Sequence, residues 1–409
     1  MTAFTLTLHI LSGFLTFLII LYTIFDTKIE MTSNSPSTAS SSARPLSQDT
    51  ALPADAEDTI SSVSWSPVSN HLAAASWDGK VRIYDVAHNG SAANGVAVLP
   101  ADGPVFDCDW AKDGTMVLAV GADKKVHLLH AATGQQATIG SHEAPIRGAH
   151  FVEVAGSGAP IIATGSWDKT VRFWDLRQPA PLATLVCAER VYAIDAKAAL
   201  LVIATAGRHI HLVDLQTDPS TFRKTVESPL RHQTRAVTAF PDGRGWGTAG
   251  IEGRCAINAL DGQDARSTDF TFRCHRGQQQ QQPDGARNSS SKVTTTQVWA
   301  VNDVQFHPAA PTIFTTAGSD GVYNFWDSVT RSRLTSHPPP NGADAAAAAT
   351  CTRAITSTRF NRDGSLFAYA VGYDWSMGFA KNTPDVETRL MLHRVTEEES
   401  KVGKSARFR

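Results

Sequence analysis

The sequence has no surplus of positive charge. Lysine and arginine total 37 against 39 acidic residues, a formal net charge of −2 with a pI near 6.7. A chain that wraps nucleic acid over its whole surface is far more basic, so any such contact here must use a local patch. Cysteine is scarce as well. The five residues Cys108, Cys187, Cys255, Cys274 and Cys351 are widely spaced, with no Cys-x-x-Cys pair and no zinc-type spacing. That argues against a disulfide framework and a structural zinc site, and leaves small buried side chains in a reducing compartment as the expectation. Catalytic signatures are missing too. There is no Gly-rich phosphate loop, no paired His-Glu metal motif and no nucleophile elbow, and Gly156-Ser-Gly158 lacks a strand-to-helix context. No enzyme activity, cofactor or metal is therefore expected.

Charged residues other than at the N-terminus are spread through a chain that is 42% hydrophobic and long enough, at 409 residues, for one large all-β domain or two to three ordinary ones. The N-terminus differs. From Thr2 to Phe25 there is no Asp, Glu, Lys or Arg, and residues 14–25 are strongly apolar. Three readings fit residues 1–30: a membrane anchor near residues 4–25, a signal sequence without the usual positive start and small-residue cleavage site, or a mis-assigned start with Met31 as initiator. The polar Ser/Thr/Pro-rich stretch after Met31 and the soluble character of the rest favour the last. Residues 31–57 then read as a disordered leader.

From Ser76 onward a unit repeats. Ser76-Trp-Asp-Gly-Lys-Val-Arg-Ile-Tyr-Asp85, Ser166-Trp-Asp-Lys-Thr-Val-Arg-Phe-Trp-Asp175 and Gly318-Ser-Asp-Gly-Val-Tyr-Asn-Phe-Trp-Asp327 are its clearest copies, and Asp78, Asp123 and Asp168 recur at intervals of 45 residues. A period of about 40–45 residues ending in Trp-Asp is the WD-repeat pattern, four strands to a blade. Asp-Gly or Asp-Lys supplies a tight turn, and alternation such as Val171, Phe173 against Arg172, Trp174 supplies the strand after it. Turns near Asp78, Asp123, Asp168, Gly207, Glu252, Asp320 and Asp374 predict a seven-bladed, all-β propeller over residues 58–399, followed by a basic tail at 400–409. Two intervals exceed the period. Their excess falls at 262–298, which is Gln- and Ser-rich, and at 335–350, which is Pro- and Ala-rich; both read as exposed loop insertions.

His142, Ser166, Asp168 and Trp174 would suit a catalytic set, but their spacing matches a structural hydrogen-bond network within a blade. Phe270-Thr-Phe-Arg-Cys-His-Arg276 and the arginines after Trp326 are more informative. Aromatic faces beside guanidinium groups suit stacking on a base with pairing to a phosphate, the alternative being ordinary strand packing and a solvated edge.

These residues together resemble the WD-repeat poly(A)+ RNA export factors of the nuclear pore, the Rae/Gle type, over about residues 58–399. The stretches that carry the resemblance are Ser228-Pro-Leu-Arg-His-Gln-Thr-Arg235, Ile251-Glu-Gly-Arg-Cys-Ala-Ile257, the segment around Phe272, Val298-Trp-Ala-Val-Asn302, Phe367-Ala-Tyr-Ala370 and Tyr373-Asp-Trp-Ser376. The Bub-type mitotic checkpoint propellers share part of this text. The resemblance implies an adaptor in the nucleus and at the nuclear pore that shuttles to the cytoplasm. It would bind a Gle-binding motif of an FG nucleoporin and single-stranded RNA, with a second role in spindle assembly and checkpoint control. Arg254 matches the arginine that pairs with an acid of the nucleoporin motif. Phe272, Trp326, Asp327, Arg331 and Arg333 match an aromatic and basic RNA-facing pocket. Ser328 stands where a basic residue is common, and the Gln-rich insertion follows Arg276. A WD-repeat substrate receptor or ubiquitin-binding scaffold is the alternative, although no F-box or similar docking segment is visible. A membrane-tethered scaffold would depend wholly on residues 4–25.

Overall fold

Each repeat folds into a four-stranded antiparallel sheet because its apolar residues occupy runs of about six, the length of one strand, punctuated by Asp-, Gly- and Pro-marked turns. The computed structural model describes residues 49–53, 55–261, 268–281, 293–338, 353–383 and 387–401. Seven such sheets form a ring. Their inner strands are Ile60–Trp65, Val105–Trp110, Ile146–Val152, Val191–Lys197, Thr234–Ala239, Val301–Phe306 and Ala354–Phe360, and each touches the next around a central channel. All seven predicted turns lie between the second and third strands of a blade.

The core is divided into seven layers, one between each pair of neighbouring blades. Both faces of most strands are therefore covered. Ile161–Ser166 is buried along its whole length, and Trp174, one face over from Phe173, is only 4% exposed. Val171 and Phe173 fill the layer between blades 3 and 4, while Trp174 fills that between blades 2 and 3.

Every inner strand slips register near its start. Such bulges release a backbone N–H from the ladder and re-aim the strand. Carboxylates on alternate blades take up N–H groups of the next blade. Asp107 Oδ2 accepts from Ala149 N at 3.0 Å, Asp195 Oδ2 from Ala239 N at 2.8 Å, and Asp303 Oδ2 from Thr358 N at 2.7 Å.

The ring closes on its N-terminal segment. Thr50–Ala51 pairs with Arg389–Arg394 as the outer strand of blade 7, and Leu52 enters the layer between blades 7 and 1. Asp49 beside it accepts from His393 Nδ1 at 2.8 Å and from the hydroxyls of Tyr369 at 2.7 Å and Tyr323 at 3.1 Å. His393 donates through Nε2 to Glu399 at 3.0 Å, and Glu399 also takes His337 Nε2 at 2.6 Å. Glu399 belongs to a short helix, Glu397–Ser400, capped by Thr396.

Four sequence boundaries are thereby corrected. Residues 49–52 of the expected 31–57 leader are part of the propeller, because the last blade has only three strands of its own. Ser400 ends a helix and is not the start of a tail. The expected insertion at 262–298 contains the outer strand of blade 5, Phe270–Arg273, and a separate hairpin, Arg276–Gln281 paired with Val293–Val298. Residues 335–337 of the expected insertion at 335–350 complete the outer strand of blade 6, Ser332–His337. The apolar 4–25 segment lies outside the described residues, and no described helix is long and apolar enough to cross a membrane.

Burial acts to lower the pKa of His393, but its bonds to Asp49 and Glu399 outweigh it and raise the value from 6.5 to about 9. Glu399 is opposed by burial and held well below the ordinary 4.5 by His337 and His393. The His393 contribution to stability is thus complete below pH 6.5 and is lost as pH rises through about 9. The Glu399 contribution is complete above pH 4.5 and is lost as pH falls below it. Urea titrations between pH 6 and 10 should show stability falling on the alkaline side by a few kcal/mol, at ~1.4 kcal/mol for each pH unit that separates the folded from the unfolded titration of His393. The His393→Gln variant should lose stability at pH 6 and lack that alkaline fall.

Candidate peptide and nucleic-acid interface

The network predicted around His142 is present, with one substitution of parts. His142 Nδ1 donates to Asp168 Oδ2 at 2.8 Å, and Nε2 lies 2.8 Å from the Thr164 hydroxyl. Trp174 Nε1 donates to that same hydroxyl at 2.8 Å. Thr164, not Ser166, links the imidazole to the indole. Ser166 instead accepts from Asp168 N and donates to the Ala144 and Pro145 carbonyls, so it holds the turn. Burial opposes ionisation of Asp168, but the bonds from His142 and Thr170 hold it well below the carboxylate range. With every polar atom engaged and the His142 side chain fully covered, the set stabilises a blade and has no open position for a reactant.

Blade 6 carries a second copy. His275 Nδ1 donates to Asp320 Oδ1 at 2.8 Å, Nε2 lies 2.9 Å from Thr316 Oγ1, and Trp326 Nε1 donates to Thr316 Oγ1 at 3.0 Å. Burial acts against the imidazolium, but Asp320 raises the His275 pKa to about 9. Trp326, predicted for an RNA pocket, is therefore also a structural residue.

Around Trp326 the predicted pocket divides. Phe272 packs 4.8 Å from the Trp326 ring and 5.7 Å from Phe314, partly covered in the layer between blades 5 and 6. Arg331, in the turn after Asp327, stacks over Phe270 at 5.0 Å from the ring centroid. Arg333 is exposed two residues on, at the same blade edge. Asp327 does not reach that edge. It is fully buried, and its two oxygens accept from Val329 N and Thr330 Oγ1, both at 2.9 Å. Asp327 fixes the turn that presents Arg331.

Arg254 begins the third strand of blade 5, so it lies at the opposite end of the propeller from the turn that holds Arg331. Its Nε stands 3.9 Å from Glu252, too far for a strong pair, and its side chain is 31% exposed. Arg273 is its cross-strand partner, and Arg276 next to it donates to the Glu252 carbonyl at 2.6 Å. Burial, then repulsion from Arg254 and Arg273, lowers the Arg276 pKa. Three guanidinium groups thus gather around one carboxylate. The same end of the ring carries an arc of aromatics: Trp375 stacks on Trp77 at 4.9 Å, Trp77 meets Phe106 at 5.7 Å, and Phe106 meets Trp167 at 5.8 Å.

Comparison with known proteins gives this arrangement a family. The WD domain, G-beta repeat, matches residues 49–85, 95–129 and 134–175. The chain is 42% identical over 377 residues to a protein named mRNA export factor GLE2 from Chaetomium thermophilum, covering 91% of this chain and 98% of that one. It is 41% identical over 365 residues to the poly(A)+ RNA export protein of Schizosaccharomyces pombe, covering 89% and 96%. It is also 45% identical over 354 residues to the WD40 repeat protein poxJ of Penicillium oxalicum, covering 86% and 95%. The chain belongs to the WD-repeat mRNA export factors.

In this export-factor propeller the repeat match covers blades 1 to 3 and begins at residue 49, one residue before the closing strand. Blade 4 departs from the repeat at its turn, which is Ala206-Gly-Arg, with Gly207 at φ 79° and Arg208 at φ 68°, in place of Asp and Gly. Thr164, Thr316 and His275 were the network residues that sequence reasoning missed. An interval of ten residues separates each threonine from its tryptophan, and that was the available signal. His275 was hidden because 45 residues separate it from Asp320, against 26 between His142 and Asp168. The hairpin inserted after Arg276 accounts for the longer interval. Cys108, Cys187, Cys255 and Cys274 are buried and free, with the sulfurs of Cys255 and Cys274 3.6 Å apart; Cys351 lies outside the described residues.

Truncating Trp174 to alanine removes a packed indole and leaves the Thr164 hydroxyl without its donor, and should cost about 3–5 kcal/mol. Thr164→Val keeps the volume and leaves the indole N–H unmatched, which should cost about 1–3 kcal/mol. Ser166→Ala should cost less than Thr164→Val at the His142–Trp174 network. Denaturant midpoints of the three variants check this order.

Proposed function

We propose that this chain is a non-enzymatic adaptor of poly(A)+ mRNA export, working in the nucleus and at the nuclear pore. One end of the propeller takes a short acidic motif of a nucleoporin, and the rim of blades 5 and 6 takes single-stranded RNA. Kinship with proteins named for mRNA export supports the overall role. The observation that carries the peptide site is the excess of guanidinium over carboxylate at Arg254, Arg273 and Arg276 beside Glu252. Arg254 is held loosely enough to exchange Glu252 for a partner's carboxylate, and desolvation on docking would strengthen that pair. The aromatic arc on the same end offers apolar surface for the rest of an extended peptide.

For RNA, the arrangement that counts is Arg331 over Phe270 with Arg333 nearby. A base can stack where an aromatic edge is open, and phosphates can meet the two arginines. Phe272 and Trp326 support this surface from within, and Asp327 positions its turn.

The two surfaces lie at opposite ends of the third strands, so they should fail separately. Arg254→Glu should weaken a nucleoporin-motif peptide more than about a hundredfold, the equivalent of roughly 3 kcal/mol, and leave RNA affinity unchanged. Arg331→Ala with Arg333→Ala should weaken single-stranded RNA and flatten the slope of log affinity against log salt by at most about two. Peptide and RNA titrations of the purified variants at several salt concentrations decide the matter. Peptide affinity that survives Arg254→Glu would remove the first assignment, and an unchanged RNA slope would remove the second.

A further inference from the structure

The channel opens, at the end of the ring opposite Arg254, into a cavity of about 330 Å³. The last residues of all seven inner strands and the turns that follow them wall it. Its apolar wall includes Trp65 and Trp110, whose indole N–H groups are spent on the Arg359 and Ser64 carbonyls at 3.2 and 3.1 Å. Not every cation of its polar lining has a carboxylate in contact. Lys112 is matched by Glu153 at 2.7 Å and His150 by Asp109 at 3.3 Å. Arg359 donates to Gln305 at 2.9 Å and faces Asp195 and Asp303 deeper in the channel. Lys197 on blade 4 and Arg362 on blade 7 have no carboxylate in contact among the described residues, although Lys197 acts at longer range to hold Asp195 and Asp109 ionised. Both are exposed at the mouth.

Two cations without a paired carboxylate, three blades apart around one small mouth, call for a ligand with anionic groups at more than one point. Phosphate suits each of them, since it accepts from the fork of Arg362 as readily as from the ammonium of Lys197. The volume is that of an ordinary small-molecule pocket, and the ring of blades encloses it on every side, so the body must be compact. A polymer would need a groove leading out. We propose that this cavity binds a compact small molecule bearing two or more phosphate groups. The site lies on the propeller axis, away from the Arg331 rim and at the far end from Arg254, and it does not depend on either of those surfaces.

Calorimetric titration of the full chain with inositol hexakisphosphate, ATP and inorganic pyrophosphate tests the proposal. Saturable one-to-one binding is expected, and the tightest of the three identifies the source as a phosphorylated polyol, a nucleotide or the bare anion. Lys197→Ala and Arg362→Ala should each weaken binding about tenfold, and together about a hundredfold. Lys197→Arg should stay within about twofold, because the charge is kept. Both side chains are exposed, so thermal unfolding of the variants should match the parent, and Arg254→Glu should bind the ligand normally. Binding of none of the three, or binding that the double variant leaves intact, would overturn the proposal. So would a response confined to single-stranded RNA.

Discussion

Everything in this molecule depends on closing the ring. Each blade buries both faces against neighbours, so an open ring would expose two apolar layers at the break. The closing strand is only two residues long, which gives few backbone hydrogen bonds. The buried chain from Asp49 through His393 and Glu399 to His337 compensates for that shortness. It ties the first described residue to blade 7, the C-terminal helix and the outer strand of blade 6. A buried charge set of this kind is costly unless every member is paired, and here each is. Asp49 and His393 are separated by 344 residues in the chain, so closure also waits on nearly the whole sequence.

The layered core follows from that closure. No blade owns a complete core, since each contributes half of two layers. Stability is therefore shared around the circle, as in other repeat architectures whose units cannot bury their faces alone. Around the channel the same logic appears in polar form. Each inner strand has a sheet partner on one side only, and inner-strand aspartates accept N–H groups of the next blade's inner strand across blade boundaries.

Function then occupies what the ring leaves over. Strand ends at one face gather arginines and aromatic rings, and the turns at the other face present Arg331 and, on the axis, Lys197 and Arg362. Trp326 shows how closely support and surface are joined. Its indole is bound to Thr316 while its ring backs Phe272, so the blade network and the candidate RNA rim share one side chain. Asp327 makes the same point in reverse, being essential to the turn's shape and hidden from solvent.

The repeat period, the Asp-marked turns and the apolar strand runs determined the seven-bladed fold from the sequence, because these are local features within one blade. Arg331 and Arg333 could be singled out in the same way, as arginines just after a strand, whereas Arg254 was singled out by the family resemblance. Tertiary structure decided what depends on distant chain. That Thr50–Ala51 forms a strand cannot be read from these residues, since their partners are Leu392 and Met391. The linking role of Thr164, the burial of Asp327 and the place of Lys197 at the channel mouth arise only when separate strands meet. Hydrogen-bond partners and net charge in a cavity are properties of neighbours in space, and a linear pattern records them only where neighbours in space are also neighbours in sequence.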